Sequence, residues 1–259
     1  MSDPNLPLLE DAVRKLAPFL DEIVFVGGAT LGLLITDEAS APIRGTTDVD
    51  VIAEIVTYAE YIAFSERLRE AHFTEDTELV CRWHNGALTL DILALNKEVL
   101  GFTNTWYEPA LRHSSTVNLP SGHAIRVITA PFFLGTKMEA FKGRGRMDFQ
   151  ASHDLEDFIA VIEGRETLLH EISRITRRFA GIPSGNGKIS AGGIPLPRCA
   201  SGICLGQRSS SHDPGAAYDN CCRRSAQSWL KCRSLRYLLG ITQKLACQVK
   251  PSAIRVCPR

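Results

Sequence analysis

One short segment limits this chain more than any other. From Glu22 to Glu54 a β-rich run (Glu22 to Val26) meets Gly27-Gly28, a helix-prone stretch (Ala29 to Ile35) follows, and an aperiodic loop (Thr36 to Thr46) leads into Thr46-Thr47-Asp48-Val49-Asp50. Asp48 heads a second apolar run, Asp48 to Ile55, read as a strand. Side chains alternate along a strand, so carboxylates at i and i+2 share one face. Such a pair can hold divalent cations against a triphosphate. The double glycine lets the backbone turn sharply and approach a ligand, and backbone N–H groups at the following helix start can face a phosphate.

The surrounding pattern predicts a mixed α/β fold, a β-sheet flanked by helices. Leu8, Leu9, Ala12, Val13, Leu16 and Phe19 recur at helical spacing, and Pro18 marks the end of that helix. Tyr58 to Ala71 reads as an amphipathic helix with Tyr61, Ile62, Phe64 and Leu68 on one side. Two strand-like runs, Glu78 to Trp83 and Ala87 to Leu95, are joined through Asn85-Gly86, a strong hairpin signal. In the second run Asp91 is a single acid among Leu88, Leu90, Ile92 and Ala94. Burying it is costly unless something positive meets it, and Arg82 across the hairpin is one candidate. Further on, Trp106 to Arg112 reads as a short helix, His123 to Ile128 as a strand, and Pro131 opens a helix to about Phe141. Ser152 caps Leu155 to Glu163, and Glu166 to Phe179 reads as helical again.

Composition separates the two ends of the chain. Of 259 residues, the first 179 carry 17 Lys and Arg against 27 Asp and Glu, and residues 180–259 carry 12 against 2, so the neutral total hides parts near −10 and +10. Seven of the eight cysteines lie past residue 198. Their spacing includes no C-x₂-C pair, which argues against zinc. A basic stretch of this kind can contact nucleic-acid phosphates without reading sequence. The loss of Glu and of apolar periodicity fits better with an atypical tail not shaped by a core, as after a reading-frame change. The expected divisions are a catalytic core over 1–128, a helical segment over 129–179 and this tail over 180–259. Met1 to Pro7 is polar and no apolar run approaches the roughly 20 residues that span a bilayer, so a cytoplasmic protein is expected.

The candidate chemistry follows from the acids. Asp48, Asp50 and Asp91 are candidate ligands for Mg²⁺ or Mn²⁺ and candidate catalytic residues, with Asp91 serving the acceptor hydroxyl. Gly27, Gly28, Thr46, Thr47 and Lys137 are candidate triphosphate contacts, with Arg44 a further donor, and Asp154 joins them. Each has a plainer reading: Asp48-x-Asp50 as a turn, Gly-Gly as a tight bend, Asp91 as a structural partner of Arg82, Lys137 as a solvated helix lysine, Asp154 as a first-turn helix acid. The ordered combination is far rarer than its parts.

Phe25-Val-Gly-Gly-Ala-Thr-Leu, Thr46-Thr-Asp-Val-Asp-Val and Leu90-Asp-Ile together resemble the core of the polymerase-β-like nucleotidyltransferase superfamily. Leu134-Gly-Thr-Lys-Met-Glu-Ala-Phe and Ser152-His-Asp-Leu-Glu-Asp resemble its AbiEii/AbiGii toxin-like branch, with Lys137, Ala140, Asp154 and Asp157 at the branch positions. The likeness spans roughly residues 10–175. It implies a nucleotidyltransferase fold, metal-dependent use of a nucleoside triphosphate, a toxin or phage-defence role, a cognate antitoxin protein, and in some relatives a tRNA acceptor. Gly28 departs from the Ser that many members carry, and no residue here chooses ATP over GTP, CTP or UTP. Two other classes stay open: an inactive nucleotide-binding or protein-interaction module, and a metal-dependent phosphohydrolase.

Overall fold

The computed structural model describes residues 3–144 and 152–179, and the expectations for the tail over 180–259 lie outside the described residues. In chain order the elements are α1 (Leu6–Lys15), β1 (Ile23–Val26), α2 (Leu31–Leu34), β2 (Asp48–Ala53), α3 (Tyr58–Glu70), β3 (Thr74–Glu75), β4 (Arg82–Asn85), β5 (Leu88–Leu93), α4 (Lys97–Leu100), α5 (Tyr107–Arg112), β6 (Ser115–Asn118), β7 (Ala124–Val127), α6 (Ala130–Arg144), α7 (His153–Gly164) and α8 (Leu168–Phe179). The mixed α/β architecture expected from the pattern is present. One seven-stranded sheet runs in the order β3-β4-β5-β2-β1-β7-β6. β1 lies antiparallel to β2, whereas β2 with β5 and β1 with β7 are parallel.

Burial explains which residues form the central strands. All four residues of β1 and the last three of β2 are buried, so this end of the sheet is covered on both faces. At the other end β2 and β5 alternate: Val49, Leu88, Leu90 and Ile92 are buried, while Asp48, Asp50, Thr89 and Asp91 are half-open. Trp83 of β4 joins the buried face with no exposure at all. Each such large apolar side chain contributes about 1.5–3 kcal/mol through burial. α1 packs on β2 and β5, and α6 packs along α7.

The helices differ from the sequence expectation in instructive ways. α1 stops at Lys15, and Ala17–Phe19 forms a separate 3₁₀ turn, so Pro18 sits in that turn and not at the end of one long helix. In α3 the buried residues are Tyr61, Phe64, Ser65 and Leu68, while Ile62 is 37% exposed, because the true stripe runs at i, i+3, i+4 and i+7 from Tyr61. A capping box starts this helix: Thr57 Oγ1 accepts from Glu60 N, and the Glu60 carboxylate accepts from Thr57 N. The hairpin turns one residue later than Asn85-Gly86. Asn85 pairs with Leu88 around Gly86-Ala87, with Gly86 at φ +61°, and a glycine at the first central position suits a two-residue turn. Ser152 caps α7 as expected, accepting from Leu155 N at 3.3 Å. Among the described residues no helix is long and apolar enough to cross a membrane.

Candidate functional site

The strand registers bring the three acids together. Asp48 and Asp50 share one face of β2, Asp50 is the Cα partner of Asp91 on β5, and Asp48 is the partner of Thr89. Side chains of partnered residues in adjacent strands share a face, so the three carboxylates line one patch of sheet. Because β1 runs antiparallel to β2 with Val26 opposite Asp50, the chain leaves β1 at the same end where the acids stand. Gly27 is the first residue beyond that strand. Its backbone sits at φ +68°, ψ −165°, a region essentially reserved for glycine. A Cβ there would lie 1.9 Å from Asp50 Oδ2, so the acid and the turn are packed against each other. Gly28 is buried, and a Cβ on it would meet Thr46 Cβ at 3.4 Å.

Thr46 and Thr47 end the loop and take different places. Thr46 Oγ1 donates to Asp48 Oδ1 at 2.8 Å, orienting that carboxylate, while Thr47 is exposed. The loop itself is tied down by Asn5, whose side chain is buried. Asn5 Nδ2 donates to the carbonyls of Gly28 (3.2 Å) and Arg44 (3.1 Å), and its Oδ1 accepts from Thr46 N (2.8 Å). Asn5 thus clamps the glycine turn to the loop. Sequence reasoning gave no sign of this residue.

A second ionic group borders the first. Lys137, on α6, lies 2.7 Å from Asp157 Oδ2 and 3.3 Å from Asp154 Oδ1, both on α7. The 2.7 Å contact with Asp157 is a close ion pair, and the Asp157 side chain is 1% exposed. Arg44 Nη2 approaches Asp157 Oδ1 at 3.6 Å from the other side. Burial works against the Lys137 charge, yet Asp157, Asp154 and Asp50 outweigh it, and its pKa is raised above the ordinary lysine value. Lys137 is therefore a half-buried ammonium held in its charged form, and its field reaches Asp50.

The plainer reading of Asp91 is also realised in the geometry. Arg82, the cross-strand partner of Asp91, grips it with both arms, Nε to Oδ1 and Nη2 to Oδ2, each 2.8 Å. The same Nη2 reaches Asp48 Oδ2 at 3.1 Å. The hydrogen bonds to Asp91 raise the Arg82 pKa further above its already high ordinary value. Among the described residues no group of three or more His, Cys, Asp or Glu is placed to hold a metal ion by itself. Two carboxylates suffice for Mg²⁺, which takes one or two together with substrate oxygens and water. Asp48 and Asp50 are hard oxygen donors on one face, and that donor chemistry fits it. Burial pushes the thiol of Cys81, beside Arg82, up to about 11 and so disfavours the thiolate.

Next along the same face, His84 Nε2 lies 2.8 Å from Asp76 Oδ2, and backbone N–H groups of Glu78 and Leu79 donate to Asp76 Oδ1. The His84 contact first, then these two donors, lower the Asp76 pKa from 3.8 to about 2. A depressed carboxylate pKa adds stability above the unfolded value and loses it as pH falls through the folded one. Asp76→Asn is expected to flatten the acid side of the stability curve between pH 3.8 and about 2. Urea midpoints at the two ends of that window measure it, and an unchanged slope would count against the pair.

No family model and no curated protein matches the chain. Solved structures with some likeness include an antigenic nucleotidyltransferase-like protein from Paracoccidioides brasiliensis, 16% identical, covering 68% of this chain and 89% of that one at a TM-score of 0.41. The antibiotic-resistance factor ANT(2'')-Ia in solution is 11% identical over 70% of this chain and 96% of its own, at 0.39. ANT(2'')-Ia crystallised with adenylyl-2''-tobramycin gives 14%, 66%, 97% and 0.37. At these values the likeness fixes neither family nor activity.

Proposed function

We propose that this chain is a metal-dependent nucleotidyltransferase, moving a nucleoside monophosphate from a nucleoside triphosphate to a hydroxyl or phosphate acceptor. One observation carries the reading: Asp48, Asp50 and Asp91 share a half-open sheet face, in register, beside a glycine-only turn packed on Asp50. Asp48 and Asp50 would hold Mg²⁺ or Mn²⁺. When bound, the cation neutralises the phosphate oxygens and the charge that develops on the departing pyrophosphate. The Gly27-Gly28 turn, Thr46, Thr47 and Lys137 hold the triphosphate, and Asp154 and Asp157 keep Lys137 charged and in place. The acceptor oxygen attacks the α-phosphorus, the bond to the bridging oxygen of the β-phosphate breaks, and pyrophosphate leaves. Asp91 takes the acceptor proton on a carboxylate oxygen, which retains a lone pair beside the one Arg82 occupies.

A toxin role, a cognate antitoxin and a tRNA acceptor belong to this proposal through the sequence resemblance alone. The test is transfer of label from α-labelled triphosphates to RNA, protein or small alcohols, with and without Mg²⁺. Metal-dependent transfer supports the reading, and inorganic phosphate released without any acceptor would point to a phosphohydrolase. The Arg82 bridge between Asp48 and Asp91 favours a second reading, an inactive nucleotide-binding module. Calorimetry separates the two, because a module binds triphosphate without turnover.

A further inference from the structure

Arg82 stands inside the acid face and is not consumed by any step above. Its grip on Asp91 is two-armed and in register, whereas its contact with Asp48 is a single, longer one made by an Nη2 already bonded to Asp91. Thr46 Oγ1 holds the other oxygen of Asp48, so Oδ2 is the oxygen that Arg82 covers. The guanidinium can therefore release Asp48 without giving up Asp91. A divalent ion on Asp48 and Asp50 needs that same oxygen region, and two cations that close repel each other.

We propose that Arg82 is a resident cation that competes with the divalent metal for Asp48, and so sets how tightly the acid face takes up metal. The inference rests on the metal-dependent reading of the site. It makes Arg82 a positioning residue: it stays on Asp91 in both states and yields only Asp48. Metal loading thus costs one charge-assisted contact, and until then Arg82 offsets the charge of both Asp48 and Asp91.

The experiment is titration of the full chain with Mn²⁺, following the spin resonance signal of the free ion, for the native protein, Arg82→Met, Arg82→Lys and Arg82→Met with Asp48→Asn. Arg82→Met is expected to bind Mn²⁺ about tenfold tighter than the native chain, because the competing charge is gone. The added Asp48→Asn change is expected to erase that gain, since the contested oxygen no longer carries charge. Should Arg82→Met fail to fold with Asp91 left unpaired, Arg82→Lys decides. A lysine keeps a charge near Asp91 but lacks the planar fork that bridges both acids, and about threefold tighter binding is expected. Native-like or weaker Mn²⁺ affinity in the folded Arg82 variants, with the native chain binding normally, would overturn the proposal. No Mn²⁺ binding by the native chain or by any Arg82 variant would overturn the metal-dependent reading itself, and this inference with it.

Discussion

Gly27→Ala is expected to destabilise the protein by about 1–3 kcal/mol and to disable the acid face at the same time. Two independent physical costs meet at this residue. The backbone at φ +68°, ψ −165° is one that an L side chain adopts only under strain, and the new Cβ would fall 1.9 Å from Asp50 Oδ2. Real carbon and oxygen atoms do not approach so closely, so either the turn or the carboxylate must move. Moving the turn loosens the bonds that Thr30 N and Oγ1 make to the Gly27 carbonyl. Moving Asp50 takes its carboxylate off the face it shares with Asp48. Gly143→Ala is the contrasting control: it lies within α6, and outside the helix's own backbone no atom of the described residues falls within 4 Å of the added carbon. That change is expected to be neutral or to add about 0.5–1 kcal/mol through the helix preference of alanine. Urea unfolding of both variants measures the difference, and equal stabilities would contradict the packing of Asp50 on the turn.

Asp50→Ala and Asp48→Ala should each cut metal-dependent label transfer by a factor of about 1,000 or more, equivalent to about 4 kcal/mol of transition-state stabilisation. Neither change opens the apolar core, because both side chains stand on the half-open face. Loss of activity should therefore appear in proteins that still unfold cooperatively. The two variants should differ in one respect. Asp48→Ala removes the partner of Thr46 and one contact of Arg82, so it should loosen the loop at Thr46 as well. Full transfer activity in either variant would refute the metal assignment.

How much of this could be read from residues alone depended on how local each signal was. The acid-bearing strands were legible because apolar residues alternate with Asp48, Asp50 and Asp91, and the hairpin because Gly86 announces a turn. Arg82 was a candidate partner for Asp91 across that hairpin, but a turn at Asn85-Gly86 would set it opposite Thr89, and the one-residue displacement is what puts it opposite Asp91. β3 and β6 were missed for a physical reason: all residues of β3 and three of the four in β6 are exposed, leaving no burial pattern to detect. Ile62 misled because its hydrophobicity suggests burial that its angular position on α3 denies. Asn5 was invisible because its three bonding partners lie 23, 39 and 41 positions away. The ion pairs of Lys137 with Asp154 and Asp157 depend on how α6 meets α7, a packing geometry that periodicity does not encode.

The clamp made by Asn5 has a dynamic consequence. Asn5 stands immediately before α1, and helix ends fray more readily than the middle of a sheet. Partial opening there would release Gly28, Arg44 and Thr46 together, while β1, β2 and β5 kept their ladder. Ligand affinity should therefore melt away on warming before the sheet does, and substrate bound at the acid face should in turn slow hydrogen exchange at the first turn of α1.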